Sequence, residues 1–471
     1  MAGSSTSLRA RLVSSLAAPL RMIGAALGEW RRAATAGDQL SMTSNSLFLI
    51  VAKVAALGIG FLCWLVAARM FPEPVVGLAS TTVSATNLVA LFAILGIGWS
   101  FIGLFPTHER QHRLLDSAIT LVGIASILAS ILCLIVAAVA LSELRPLAVD
   151  PRFALCFVAF GATGTLGLLF DQISAVMRRG DHAMTRNVVR GLVTLLIVPA
   201  ALLVAESDRS LALVAAWTAG SVLMIVIGLR QFTAKPMRYV FKPGVEASLG
   251  RPLLAGGFPN QALNLALRLP GTVLPIVVTQ MISAGDSAIW YGAWMMASVV
   301  FFIPIQVGVT LFAELSHPKA EIGRLAAQAF RLSLGVGVGC AVVAAVLVGL
   351  PLSMLGHGYA AGGEMPFRIV VIAVVPMTVI EVYCAVCRAM TRLPEAIATA
   401  TISAVVSLAA TVLVAPGHGL VGIATAWLAV QAVTGLWAGA RLVWLLRTRT
   451  AATPANDATA PSAPVAQPTS Q

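Results

Sequence analysis

The chain has 471 residues, 58% of them hydrophobic and only 11% charged, and its mean hydropathy is +0.91. A soluble domain is ordinarily about a quarter charged, so the composition excludes a soluble globular protein and the usual soluble enzyme classes, and the expected solvent is a bilayer. The 31 Lys and Arg outnumber the 19 Asp and Glu, giving +12; membrane proteins collect such a surplus in the loops of one side, so no nucleic-acid partner is needed to explain it.

In chain order, residues 8–30 come first. Leu8, Leu12, Leu16, Leu20, Ile23, Leu27 and Trp30 recur three or four apart, with Arg9, Arg11 and Arg21 among them. The spacing predicts an amphipathic helix on the membrane surface, and Pro19 and Arg21 interrupt any signal-peptide core. Twelve apolar runs follow, about 46–68, 79–105, 117–141, 153–177, 187–205, 210–229, 256–282, 288–313, 327–350, 366–387, 396–415 and 419–446, each near the ~20 residues that span a bilayer. Residues 451–471, rich in Ala, Pro, Thr and Ser, are expected to be a disordered tail.

With both termini placed on one side, every second loop is basic. That side receives 24 Lys and Arg, including Arg178, Arg186, Arg190 and Arg441, against five on the other; Lys53 and Arg268 fall inside spans. The bias predicts cytoplasmic termini.

An internal match suggests how the helices are grouped. Asp171, Ala175, Val176 and Arg178 recur as Glu381, Ala385, Val386 and Arg388, each 210 residues on. Ala216-Trp217 recurs as Ala426-Trp427 at the same offset, and Met70 as Met281 at 211. The fold class expected is an all-α polytopic membrane protein with about 12 transmembrane helices in two pseudo-symmetric six-helix bundles, related by an axis along the membrane normal with a path between them. The segments are 1–44 (surface helix), 45–229 (first bundle), 230–252 (basic linker with Pro236 and Pro243), 253–446 (second bundle) and 447–471 (tail).

Ionisable residues at membrane depth are candidate sites by default, because lipid leaves them unsolvated. Lys53 in the first span and Arg268 in the seventh occupy nearly corresponding places; together they could draw an anion such as phosphate into a shared cavity, or each could pair with a buried acid. Asp171 and Glu381, with Arg178 and Arg388 about two turns on, are candidates for gating or coupling, or for static pairs. Asn260, Asn264 and Gln280, like Asn45 and Asn87 in the first half, suit either a polar cavity lining or helix–helix hydrogen bonds. Pro259, Pro270 and Pro275 predict a kink beside Arg268. Gly335, Gly337 and Gly339 suggest close helix packing, and Cys384 and Cys387, in an apolar helix without a second pair, suggest packing over redox or metal chemistry.

A P-loop and an H-E-x-x-H motif are both absent. The six histidines show no ligand spacing, and no sizeable loop gathers acids, Arg and His. A non-enzyme without metal or cofactor is expected.

The stretch from Asn45, "NSLFLIVAKVAALGIGFLCWLVAARMFPEPVVGLASTTVSATNLVALFAILGIG", has a polar start, a first helix ending in an "AAR" step, a short turn to Gly77 and a second helix closing on "LGIG". With "AVMRRGD" at 175–181, it resembles the polysaccharide and lipid-linked oligosaccharide flippases, the Wzx-like branch of the multidrug/oligosaccharidyl-lipid/polysaccharide (MOP) exporter superfamily. The resemblance covers 45–446. It implies two bundles around a cationic cavity and translocation of undecaprenyl-pyrophosphate-linked glycans across the bacterial inner membrane by alternating access. Lys53 and Arg268 would be the cations of the first and seventh helices. Partners implied are a polyprenyl-linked glycan, membrane lipids and other polysaccharide assembly proteins. Two features weigh against relatives in the superfamily: the first helix carries Lys53 and no acid, unlike the drug extruders, and twelve spans is short of the fourteen usual for peptidoglycan-precursor flippases. The alternatives are a multidrug or cation exporter of the same superfamily and, behind it, a membrane glycan polymerase or ligase.

Overall fold

The computed structural model describes Gly28 and residues 42–105, 110–234, 238–315 and 321–452. The expected surface helix at 8–30, Gly28 apart, and the tail beyond Ala452 lie outside the described residues. Within them the chain is helical, in the order α1 (Met42–Met70), α2 (Glu73–Ala93), α3 (Ile97–Leu104), α4 (Gln111–Ala140), α5 (Pro151–Val176), α6 (Gly180–Ile197), α7 (Arg209–Thr233), α8 (Ala247–Met281), α9 (Ala284–Leu315), α10 (Ile322–Leu347), α11 (Gly349–Leu355), α12 (His357–Val371), α13 (Val374–Ala389) and α14 (Leu393–Ala452).

Ten helices are long and apolar enough to cross a membrane, and α12 with α13, bent by 42°, forms an eleventh span. The helix α14 is two arms: Gly419, at φ 57° and ψ −152°, breaks it, a left-handed conformation that glycine adopts without strain. Arg441 on Glu395 and Thr434 on Ser403 at 2.9 Å then pair the arms of a hairpin centred on that glycine. With α14 counted as two, the described residues hold twelve spans.

The two halves repeat element by element. Met70 ends α1 and Met281 ends α8; Glu73 begins α2 and Ala284 begins α9; Gln111 begins α4 and Ile322 begins α10; each pair is 211 apart. The turn after α5 uses Arg178 at φ 54° and a 2.8 Å bond from Arg179 N to Ser174 O; the turn after α13 uses Thr391 at φ 57° and a 2.8 Å bond from Arg392 N to Cys387 O. These matching helix-end turns are 213 apart. The sequence match at 210 is therefore three residues out of register here: Arg178 sits in its turn, whereas Arg388 lies in the last turn of α13.

Between helices in lipid, close approach and hydrogen bonding replace the hydrophobic effect. Asn45 joins α1 to the turn before α6, accepting from Gly180 N at 2.7 Å and donating to Ala175 O. Of Gly335, Gly337 and Gly339 in α10, only Gly337 is buried; a Cβ there would lie 3.0 Å from Val374, while Gly335 and Gly339 have open space around them. The close-packing expectation thus holds for one glycine in three, because the helical period turns the other two away from α13. Cys384 and Cys387 are buried in an apolar cluster with Leu263, Ala396 and Ala400. Outside the spans, Asp150 caps α5 ahead of Pro151, accepting from Arg152 N at 2.9 Å; that N–H and the Arg152 guanidinium hold its carboxyl below the usual carboxylate range.

The expected continuous second span is broken. Leu95 (φ 51°) and Gly96 (φ 72°) separate α2 from α3, and the chain turns there against α8: a Cβ on Gly257 would lie 1.8 Å from Gly96 O. The apolar "LGIG" carries no polar or Pro signal for the break. The proline-rich α8 is continuous through Pro252, Pro259, Pro270 and Pro275 over 35 residues.

Candidate functional site

The halves meet along α2 and α9, with α8 against α2 and α3. Opposite the basic loops the interface is closed by polar contacts. Thr81 Oγ1 bonds Thr279 Oγ1 at 2.5 Å and Ser287 Oγ at 2.9 Å. Gln280 bonds Ser142 Oγ at 2.9 Å and accepts from Glu143 N at 3.3 Å. Arg69 donates to Met354 O and, at 3.1 Å, to Ser353 O. Gly77 is pressed so closely on Ala284 that a Cβ would stand 1.6 Å from its carbonyl oxygen. At the basic end a strap of the linker, 238–246, lies on the first turns of α4. Asp116 accepts from Tyr239 Oη at 2.7 Å and from Lys242 N at 2.9 Å, and Ser117 Oγ accepts from Glu246 N at 3.1 Å. Burial and the Asp116 carboxylate push the Tyr239 phenol above its ordinary value.

Between these two ends is a cavity of about 390 Å³. Four lining residues come from the first half, Lys53, Leu57, Ser84 and Asn87; the second half contributes the rest, among them Arg268, Glu381, Gln431 and an aromatic wall of Tyr291, Trp294, Phe301 and Trp427. The aromatic wall is rigid: Trp294 and Trp427 lie edge to face at 5.0 Å, and Trp64 packs on Tyr291 at 5.1 Å and on Trp217 at 4.5 Å.

Lys53 and Arg268 form no ion pair among the described residues; the only side-chain bond of the Arg268 guanidinium is Nε to Asn264 Oδ1 at 2.8 Å. Both are accessible from the cavity, and each lies within electrostatic reach of the other. They are not in the same register. Lys53 is 17 residues before the end of α1 and Arg268 is 13 before the end of α8, a stagger of one turn, about 6 Å along the axis. By the repeat of the helix ends, Asn264 occupies the place of Lys53.

Of the sequence candidates, then, the structure brings Lys53, Asn87, Arg268 and Glu381 to one cavity and sets Asn264 beside it as the anchor of Arg268. Asn260 is one turn further toward the basic end and is not in the lining. Gln280 fastens the two halves at the far end. Asp171 is not in the lining either: it accepts from Arg186 Nη2 and from Asn187 Nδ2, each at 2.8 Å. Arg178 is exposed at the basic end, and Arg388 lies with its guanidinium 5.9 Å from the centre of the Phe312 ring.

Two arginines counted with the basic loop are within α6. Arg186 is fully buried and bonds Asp171, Gln231 at 2.6 Å and Ser174 at 3.0 Å. Arg190, a turn further in, has no ion-pair partner among the described residues and is within electrostatic reach of Lys53 and Asp171. The helix starts at Gly180, earlier than the apolar run, because the polar first turns face neighbouring helices and not lipid; Asn187 in the same helix and Asp171 in α5 were the available signal. Gln261, buried and donating to Leu91 O at 2.6 Å, was likewise unmarked among the amides of α8.

No protein-family model and no curated protein sequence matches the chain. Solved structures do. An inward-facing multidrug resistance MATE family transporter of the MOP superfamily aligns with TM-score 0.65 and 11% identity over 86% of this chain and 99% of that one. The lipid II flippase MurJ, in an inward closed conformation, aligns with TM-score 0.66 and 12% identity over 84% and 87%. An outward-facing MATE family transporter aligns with TM-score 0.58 and 11% identity over 87% and 96%. Likeness at this level of identity is likeness of architecture, and the chain has the two-bundle, all-helical fold of the MOP superfamily transporters.

Proposed function

We propose that this chain is a transporter, not an enzyme, that moves a polyprenyl-diphosphate-linked oligosaccharide or polysaccharide precursor across a bacterial inner membrane by alternating access, with both termini cytoplasmic. The observation that carries the reading is the cavity between the halves: Lys53 and Arg268 face it with no carboxylate bonded to either, and Arg190 adds a third cation nearby. Glu381 and Asp171 lie within electrostatic reach of Arg268 and Lys53 without bonding them; cations so placed at membrane depth are costly, and a doubly charged diphosphate offsets that cost while the lipid tail stays in the bilayer. Guanidinium and ammonium are the side chains suited to phosphate oxygens. Likeness to a structure named as a lipid II flippase supports a lipid-linked ligand, and the bonded far end, with the better fit to the inward-facing MATE structure than to the outward-facing one, supports a state loaded from the basic side.

A second reading, export of organic cations, is favoured by Glu381 beside the aromatic wall and by the MATE likeness. Flipping of a fluorescent polyprenyl-diphosphate-linked sugar in proteoliposomes separates the two. The flippase reading expects transport by wild type and at least a tenfold loss in Lys53→Ala and in Arg268→Ala, both checked for monodispersity. Undiminished flipping by both variants refutes the phosphate-binding assignment. Transport of a lipophilic cation and of no lipid-linked glycan favours the second reading.

A further inference from the structure

Resting on the lipid-diphosphate reading, a second feature of the same cavity concerns how the diphosphate is let go. Each cavity cation has an acid within electrostatic reach, Asp171 for Lys53 and Glu381 for Arg268. The two acids are held differently. Asp171 is fixed by Arg186 and Asn187, each at 2.8 Å, and lies outside the cavity lining. Glu381 lines the cavity together with Arg268 and is half-buried there. Its carboxylate lies against the bare backbone of Gly308, where a Cβ would stand 3.1 Å from Oε2, and no hydrogen bond or ion pair among the described residues fixes it. Arg388, two turns on, is also within its electrostatic reach; that guanidinium lies 5.9 Å from the centre of the Phe312 ring. Leu267 and Ile380, the chain neighbours of Arg268 and Glu381, pack in one apolar cluster. Arg268 and Glu381 therefore belong to one packed unit of the second half. Rocking of the halves leaves them together while Lys53 shifts relative to both.

We propose that Glu381 is the residue that releases the ligand, an internal anion that competes with the diphosphate for Arg268. While the diphosphate lies between Lys53 and Arg268, two cations outweigh one carboxylate and Glu381 stays aside. Once the halves rock and Lys53 is drawn away, the ligand keeps a single cation. A carboxylate tethered in the same half then competes for that cation at high effective concentration, and its charge repels the phosphates in a wall of low dielectric. After release Glu381 neutralises the empty Arg268, which offsets the cost of carrying an unpaired cation back through the membrane. The first half has no such device, because its acid is committed to Arg186. Lys53 stays available for capture, and release belongs to the second half.

The test pairs binding with transport in the full-length protein. Glu381→Gln keeps the shape and removes the charge. It should bind undecaprenyl diphosphate about tenfold more tightly than wild type, one like charge having left the site, and undecaprenol with unchanged affinity. In proteoliposomes its KM for a fluorescent undecaprenyl-diphosphate-linked sugar should fall and its kcat should fall with it, as slowed release requires. Glu381→Ala should behave alike, so that misfolding of one variant leaves the other informative. The tightening should vanish when Arg268→Gln is added and persist when Arg388→Gln is added. Unchanged or weakened diphosphate binding overturns the proposal. So does tighter binding with unchanged kcat, or a tightening that depends on Arg388 in place of Arg268. Failure of wild type to bind the diphosphate more tightly than undecaprenol overturns the lipid-diphosphate reading and the release role with it.

Discussion

Replacing Arg69 by Ala should open the end of the molecule opposite the basic loops. Arg69 belongs to α1 in the first half, and its guanidinium donates to the carbonyls of Ser353 and Met354 in the last turn of α11 in the second. Those are orphan carbonyls of a helix C-terminus, where a cation is favoured. A hydrogen bond to a charged group contributes about 1.5–3 kcal/mol net, but Arg69 is exposed and water competes, so the two together are worth about 2 kcal/mol. That energy is present only while the two halves are closed at this end, and its loss shifts the closed-to-open ratio roughly thirtyfold. A population held at about 99:1 would fall to near 3:1. Spin labels at Glu206→Cys in the first half and Leu350→Cys in the second, both exposed at this end, report the separation in reconstituted protein. A second, longer distance should appear in Arg69→Ala at about a quarter of the population. An unchanged distribution with intact folding would mean that Thr81, Gln280 and Gly77 hold the end closed without it, and that the energy assigned to Arg69 is wrong.

Other variants test other parts of the structure. Arg186→Met removes a fully buried cation and leaves Asp171 with Asn187 alone, so stability should fall by about 3–5 kcal/mol, read as a lowered unfolding midpoint in detergent; an unchanged midpoint would show that the pair is not structural. Gly257→Ala places a methyl 1.8 Å from the Gly96 carbonyl, a backbone atom that cannot swing aside, and should cost at least 1–3 kcal/mol, seen as poor recovery of monodisperse protein. Tyr239→Phe deletes the bond to Asp116 and should speed tryptic cleavage at Arg238 by loosening the strap. The Tyr239 phenol is raised on folding, so its contribution is complete below its unfolded value of about 10 and declines as pH rises above that. Wild type should therefore become cleavable above about pH 10, whereas the Phe variant should show no such step.

Much of this was visible in the sequence, because lipid permits few solutions. Helices must satisfy their own backbone, so apolar length alone located the spans, and the cost of a buried charge singled out Lys53, Arg268, Asp171 and Glu381, of which the fold gathers all but Asp171 around one cavity. What failed to show depends on neighbours. Gln280 and Asn87 are equivalent amides by sequence, yet one joins the halves at the far end and the other faces the cavity, a distinction made only by helix rotation. Arg186 and Arg190 look like loop charge because their helix begins with polar turns that face protein. The break at Leu95 and Gly96 lies in uniformly apolar residues; its cause is the approach of Gly257, 161 residues away. The repeat was found at 210 from side chains, while the turns that define the backbone correspondence are 213 apart.

On the proposed reading, the one-turn stagger between Lys53 and Arg268 gives the pathway a direction. Were the duplicated halves still equivalent, an anion on the pseudo-axis would meet two identical neighbours at one depth and have no reason to prefer either. With Lys53 nearer the basic end and Arg268 about 6 Å beyond it, a ligand arriving from that end meets ammonium before guanidinium and is passed from the first half's helix to the second's as it advances. Divergence after duplication has thus turned a symmetric clamp into two successive rungs.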